Sequence, residues 1–223
     1  MADLTVTVAG EVFVMLPERL LHHPGSRTLY VADPHFGKAA TFRNAGIPVP
    51  RGTTSDNLAR LDTAIERSRP ARIVFLGDFF HDRHSLASTT LAALRAWRGV
   101  HSGLTLKLVR GNHDRHAGDP PPELDIEAVD DPWDEVPFRL SHQPTACPTA
   151  YVLAGHLHPA VRVTGRSGER VTVPCYHFAD QVGVLPAFGS FTGRSIIVAA
   201  PSDRVFGIAG DAVFEVPPRA RGS

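Results

Sequence analysis

Arg110-Gly111-Asn112-His113-Asp114 directly follows the apolar run Leu104 to Val109, so a short buried strand ends in a loop of amide, imidazole and carboxylate groups. The same arrangement recurs along the chain. Thr28 to Ala32 ends in Asp33-Pro34-His35, Arg72 to Leu76 in Gly77-Asp78, Phe138 to Leu140 in Ser141-His142, and Tyr151 to Ala154 in Gly155-His156-Leu157-His158. Five polar clusters, each at the end of a strand-like segment, predict that one edge of a sheet assembly carries the chemistry.

Outward from these strands, the pattern is that of an α/β protein. Leu4 to Val14 alternates around Gly10-Glu11 as a hairpin does. Thr41 to Thr54 has no helical period and is expected to be a long functional loop. A helix follows, capped by Thr54 or Ser55, with a stripe of Leu58, Leu61, Ala64 and Ile65, and it stops before Pro70. A second helix is expected from Leu86 to Trp97. The acidic, proline-rich stretch Ala117 to Pro137 reads as a surface excursion with at most short strands. Further short strands are expected around Val161, Arg170, Gly183, Ser195 and Val205. Strands alternating with helices, then strands in succession, predict two packed, mainly mixed β-sheets flanked by helices, an αββα sandwich. At 223 residues and 43% apolar composition, one domain over 1–223 is expected, with a disordered tail at 219–223.

The formal net charge is zero, which excludes a bulk electrostatic nucleic-acid binder and makes any such contact local. No apolar run approaches the roughly 18 residues of a membrane span, and the N-terminus lacks a basic region before an apolar core; a cytoplasmic protein is expected. Cys147 and Cys175 have no metal or disulfide spacing and read as free thiols. Histidine is abundant, at twelve residues, and His35, His113, His142, His156 and His158 fall in the clusters.

Carboxylate, amide and imidazole groups in this order suit a two-metal phosphoesterase centre. If the segments are extended, Asp33 with His35 and His156 with His158 each point to one side. Such a centre needs a carboxylate between cations roughly 3.5–4 Å apart, and Asp78 is assigned that place. Asp33, His35 and His158 would hold one ion, and Asn112, His142 and His156 the other. Two divalent ions bring about +4 and the two carboxylates return about −2, so the centre stays cationic and attracts a phosphate. Mixed nitrogen and oxygen donors suit manganese foremost, with iron or zinc as alternatives. His113, beside a ligand but not needed as one, is assigned as general acid, oriented by Asp114.

With these residues assembled, the chain resembles the calcineurin-like metallophosphoesterase superfamily, whose pattern is D-x-H, G-D, G-N-H-D/E, H and G-H-x-H. Within it, the chain is most similar to the ligase-associated DNA damage response endonucleases, the PdeM-like group. The matching stretches run from Ala32 to Ala39, Arg43 to Thr53, Gly77 to His81 and Leu185 to Gly193. Pro34 stands where related sequences commonly have Leu, without changing the ligand spacing.

The resemblance implies a phosphodiesterase acting as a DNA endonuclease, on single-stranded or flexible DNA in repair, in association with a DNA ligase and a helicase. Gly77 to His81 is similar to the G-D-L-F-H of double-strand-break nucleases, which places His81 at the phosphodiester or behind a ligand. Lys38, Arg43, Arg51 and Arg115 would hold flanking phosphates, and Phe36 and Phe42 would stack unpaired bases. The competing readings are a phosphatase or diesterase for small nucleotides and a metal-free scaffold.

Overall fold

The alternating N-terminal residues close a hairpin of β1 (Leu4–Val8) and β2 (Glu11–Leu16). Ala9 and Gly10 at its turn both have positive φ, which matches the twist of the flanking strands. Antiparallel pairing continues through β3 (Leu20–His23) to β4 (Thr28–Ala32). Here and below, the computed structural model describes residues 2–44, 46–49, 52–165 and 168–217. Arg51 and the expected tail at 219–223 lie outside them.

Beyond β4 the sheet turns parallel. A parallel neighbour needs a crossover, and the chain supplies α1 (Lys38–Asn44) and α2 (Thr53–Ser68) before β5 (Arg72–Leu76). It supplies α3 (Ser88–Val100) before β6 (Thr105–Val109), then a single turn, α4 (Asp114–Ala117), before β7 (Ile126–Val129). Among the described residues the first sheet runs in sequence order from β1 to β7. Its outer face, with Leu29, Val31, Ile73, Phe75, Leu106 and Leu108, packs on Leu58, Leu61 and Ala64 of α2 and Leu94 and Trp97 of α3. The alternate residues Tyr30, Ala32, Val74 and Leu76 face the second sheet.

That sheet is built from β8 (Trp133–Glu135), β9 (Phe138–Ser141), β10 (Tyr151–Ala154), β11 (Pro159–Thr164), β12 (Arg170–Phe178), β13 (Val182–Val184) and β14 (Ser195–Ile196). Their order is β14-β11-β12-β13-β10-β9-β8, and β15 (Arg204–Ala209) and β16 (Ala212–Val216) extend it from β12. β9, β10 and β13 are mutually parallel, while β12 is antiparallel to its neighbours. Leu140, Leu153, Tyr176, Phe178 and Phe206 meet the first sheet in one buried core. Tyr176, fully buried, donates its hydroxyl toward the carbonyls of Leu16 and Leu20, at 2.8 and 2.7 Å, and so ties the sheets together. Two mixed sheets flanked by helices are the expected sandwich.

Local expectations differ from the structure in instructive places. The start of the expected loop Thr41 to Thr54 belongs to α1, whose seven residues are too few to display a period. Thr41 donates to Asp82 at 2.8 Å and so pins this helix to the turn Arg83–Leu86. α2 starts at Thr53 behind Gly52, which has φ 96° and makes no side-chain cap; neither Thr54 nor Ser55 caps it. The excursion Ala117 to Pro137 carries β7 and β8, so it is also the passage from one sheet to the other.

Register places the loops. Ala32, Leu76 and Val109 lie level on β4, β5 and β6, and Ser141 lies level with Ala154 on β9 and β10. The five polar clusters therefore leave the two sheets at matching edges.

Candidate metal centre

Each loop bends sharply where it leaves its strand. Asp33, His35, Asp78, His156 and His158 have φ of 50, 45, 52, 68 and 50°. This left-handed region is uncommon for residues with a side chain, and such strain gathers at functional sites. Strand alternation therefore does not bring Asp33 to His35 or His156 to His158, as the spacing suggested. Tight left-handed turns do.

The turns assemble two clusters. Ligating atoms of Asp33, His35 and His158 lie within 4.8 Å of one another, as do those of Asp78, His142 and His156. The side-chain oxygen of Asn112 is 2.8 Å from Nε2 of His142, and Nδ1 of His156 is 3.0 Å from that same nitrogen. Asp78 stands between the clusters, with Oδ2 3.7 Å from Nε2 of His35 and Oδ1 3.4 Å from Nε2 of His142.

The donor set fits cations. Asp33 and Asp78 are 0 and 2% exposed, and Oδ1 of Asp33 and Nε2 of His158 are buried with no hydrogen-bond partner in the protein. Buried polar atoms are costly unless satisfied, and a metal satisfies both. Burial raises the Asp78 pKa, with neighbouring Asp33 adding to the shift. Burial also lowers the pKa values of His35 and His156, holding both rings in the neutral form that coordinates metal. His158 donates from Nδ1 to the carbonyl of Gly193 at 3.2 Å, which leaves Nε2 toward Asp33.

Three motif glycines have a steric reason. A Cβ on Gly77 would lie 2.1 Å from Nδ1 of His142, on Gly111 2.3 Å from Oδ1 of Asp78, and on Gly155 2.6 Å from Oδ2 of Asp33. Each glycine thus makes room for a candidate ligand carried by another loop. Gly111 does so without a positive φ, so its role is close approach rather than the turn itself.

His113 is positioned by a different partner from the one expected. Its Nδ1–H donates to the carbonyl of His81 at 2.6 Å, and its backbone N–H donates to Oδ1 of Asp78 at 2.9 Å. Nε2 then lies 3.9 Å from Oδ2 of Asp78, on a partly exposed ring. Asp114 does not orient this ring. Its carboxylate accepts from the backbone N–H groups of Phe79, Phe80 and Gly111, at 2.9, 3.3 and 2.8 Å, and locks two loops together. Burial raises its pKa to about 6 against the opposing pull of those bonds. The His81 ring stacks on His113 with centroids 4.8 Å apart, and burial, then Lys38 and His113, lower its pKa to about 4.

The expected substrate contacts are less uniform. Lys38, half-buried at the start of α1, feels both Asp33 and Asp78, although burial lowers its pKa overall. Arg115 is exposed on α4. Arg43 lines a cavity of about 340 Å³ with Gly52, Thr53 and Thr90, whose lining includes no candidate ligand. Phe36 is 1% exposed and packs on Phe79 at 5.1 Å, so it is core and offers no stacking face. Phe42 meets His81 edge-on at 5.9 Å.

One structural contributor matched the related sequences but was assigned no site residue. The segment Leu185 to Gly193 places Gly189, whose N–H donates to the carbonyl of Asp33 at 3.1 Å, and Gly193, the acceptor from His158. Its match to related sequences and its two glycines, Gly189 and Gly193, were the signals that could have found it.

The calcineurin-like phosphoesterase family matches residues 26–165, a span that includes every candidate ligand. The nuclease MPE of Pseudomonas putida is 39% identical in sequence, and its crystal structure matches with a TM-score of 0.85 over 96% of this chain and 100% of its own. AQ665 from Aquifex aeolicus matches at 18% identity and a TM-score of 0.41, over 63% of this chain and 81% of its own. Yfce, a phosphoesterase from E. coli, matches at 13% and 0.40, over 83% and 90%. No curated protein matches the chain. With most of its length matched and its two histidine–carboxylate clusters facing one another across Asp78, the chain belongs to the calcineurin-like phosphoesterase family.

Proposed function

We propose that this protein is a manganese-dependent phosphodiesterase that cleaves DNA internally, acting on single-stranded or flexible strands in repair. The observation that carries the reading is the Asp78 carboxylate, with one oxygen toward each cluster and His113 beside it. The likeness to a nuclease of Pseudomonas putida supports DNA as the substrate.

Asp33, His35 and His158 would hold one cation, Asn112, His142 and His156 the other, and Asp78 would bridge them. Two divalent ions bound there supply Lewis acidity toward phosphate oxygens and activate a water for attack. The neutral imidazoles and the Asn112 amide leave that charge largely uncompensated, which favours a phosphodiester anion. His113, anchored through Nδ1, presents Nε2 as the proton donor to the departing oxygen. His81 supplies the carbonyl that fixes this orientation. Lys38, Arg115, Arg43 and Arg51 would contact flanking phosphates. Manganese suits the mixed nitrogen and oxygen donors, and iron or zinc would fit the same set. Zero net charge implies modest, salt-sensitive affinity; substrate would be delivered by associated enzymes, which the family resemblance makes a DNA ligase and a helicase, in the cytoplasm.

The test is a metal-by-substrate matrix on purified protein, comparing circular single-stranded DNA, an aryl phosphodiester and an aryl phosphomonoester. Manganese-dependent linearisation of the circle and diester hydrolysis are expected. Activity confined to the monoester would establish a small-substrate phosphatase instead.

A further inference from the structure

The segment Leu185 to Gly193 contributes none of the candidate ligands, yet it is built onto the centre. The N–H of Leu185 donates to Ala154, that of Phe188 to Ala32 and that of Gly189 to Asp33, at 2.8, 2.8 and 3.1 Å. It therefore runs from the strand before His156 to the strand before Asp33. Beneath it, the guanidinium of Arg60 lies 4.3 Å from the Phe188 ring and donates to the Phe188 carbonyl. Arg19 donates to the carbonyls of Ala187 and Gly189 at 3.4 and 3.5 Å.

The turn that follows is tethered by hydrogen bonds at Ser190, Thr192 and Gly193. Ser190 donates its hydroxyl to Asn57 at 2.6 Å, Thr192 to the Gly189 carbonyl at 3.2 Å, and the Gly193 carbonyl accepts from His158. Phe191 stands at its apex, 39% exposed, at the rim of a cleft of about 10 Å³ lined also by His35, Lys38 and Asn57; that space is too small for a base, so the exposed side of the ring, outside the cleft, is what a base can meet. An exposed apolar side chain is ordinary by itself. This one sits two residues from Gly189 and two from Gly193, so its Cα lies within about 7.6 Å of each of two residues bonded to the ligands Asp33 and His158. With Phe36 buried and Lys38 lying over the Phe42 ring, 5.7 Å from its centroid, Phe191 is the exposed phenyl ring among the residues lining this cleft. A ring on a tethered turn also loses little freedom on binding.

We propose that the turn Gly189 to Gly193 is a nucleobase-binding element, in which Phe191 stacks an unpaired base next to the phosphodiester being cleaved and Lys38, on the same cleft, faces its phosphate. A base can reach the exposed part of the ring only after it has left the duplex stack, so the element selects unpaired strands. This inference rests on the reading of the protein as a DNA endonuclease.

The experiment is a cycle in KM with manganese: wild type and Phe191→Ala, each on a single-stranded oligonucleotide and on an abasic oligonucleotide of the same length, with Phe191→Trp as the conservative variant. Removing the ring and removing the bases are each expected to raise KM about tenfold. The two together should be no worse than either alone, and Phe191→Trp should match wild type on the normal strand. An unchanged KM for Phe191→Ala on that strand, or losses that multiply, would overturn the stacking role alone. Failure of the wild type to cleave DNA at all would overturn the nuclease reading and this inference with it.

Discussion

A methyl group added to Gly111 would lie 2.3 Å from Oδ1 of Asp78 and 2.5 Å from its backbone nitrogen. No atom pair tolerates that approach. Backbone on one side and the Asp78 carboxylate on the other leave no flexible group to yield, so the loop after β6 is packed against the residue that stands between the two clusters.

Gly111→Ala is therefore expected to lose metal and activity by about 100-fold or more, at the upper end of the usual effect of disturbing a ligand's support. Gly99→Ala is the control, because nothing lies within 4 Å of its added methyl in α3. That change should stabilise by roughly 0.5–1 kcal/mol. Elemental analysis and thermal melting of the two variants would check both outcomes.

His113 and Asp114 should separate cleanly, because they share no side-chain bond. His113→Ala should keep its melting temperature and metal while losing about 10²–10⁴ in rate on DNA, and lose less on an aryl diester whose leaving group needs no proton. Asp114→Ala strands three buried N–H groups and should cost roughly 3 kcal/mol of stability. Its activity loss should be the same factor on both substrates. Chemical denaturation alongside the two rate measurements tests the distinction.

Metal should act as a structural brace. Asp33 and Asp78 are buried together, and burial opposes the charged form of Asp78. Manganese at about 100 times its dissociation constant should stabilise the fold by about 2.7 kcal/mol, and chelation should reverse this. Asp78→Asn should melt no lower than the chelated wild type while losing the manganese-dependent gain. A calorimetric titration of both proteins reads the difference.

The two thiols should differ in reactivity. Burial raises the Cys175 pKa to about 12, which suppresses its thiolate at neutral pH. Cys147 is also buried, 6% exposed, but it lines a cavity of about 540 Å³ that gives a small reagent a route to it, and it shares a 3.3 Å hydrogen bond with Thr149, which lowers its pKa. Iodoacetamide at pH 8 should add one label to the native protein, at Cys147, and two after denaturation. Intact-mass and peptide analysis would show it.

How much of this was legible before folding follows from range. Thr28 to Ala32, Arg72 to Leu76 and Thr105 to Val109 read as buried strands because parallel strands covered on both faces are continuous apolar runs. Their ends mark where Asp33, Asp78 and Asn112 must emerge. Phe36 misread as a base-stacking face because an aromatic beside a motif looks the same whether it turns outward or, as here, onto Phe79. Asp114 misread as the partner of His113 because adjacency in sequence says nothing about the backbone N–H groups of Phe79 and Phe80.

By itself, the sequence determined the strand ends, the residue types and the order of the five clusters, since these depend on local composition and on spacing along one strand. Tertiary structure decided which atoms meet. His158 approaches Asp33, Gly155 makes room for it, and Gly193 orients His158 only after two sheets have packed with their strand ends level. These contacts join residues far apart in the chain, and the left-handed turns at Asp33, His35, Asp78, His156 and His158 are conformations that their local sequence disfavours. The packed core on either side holds them there.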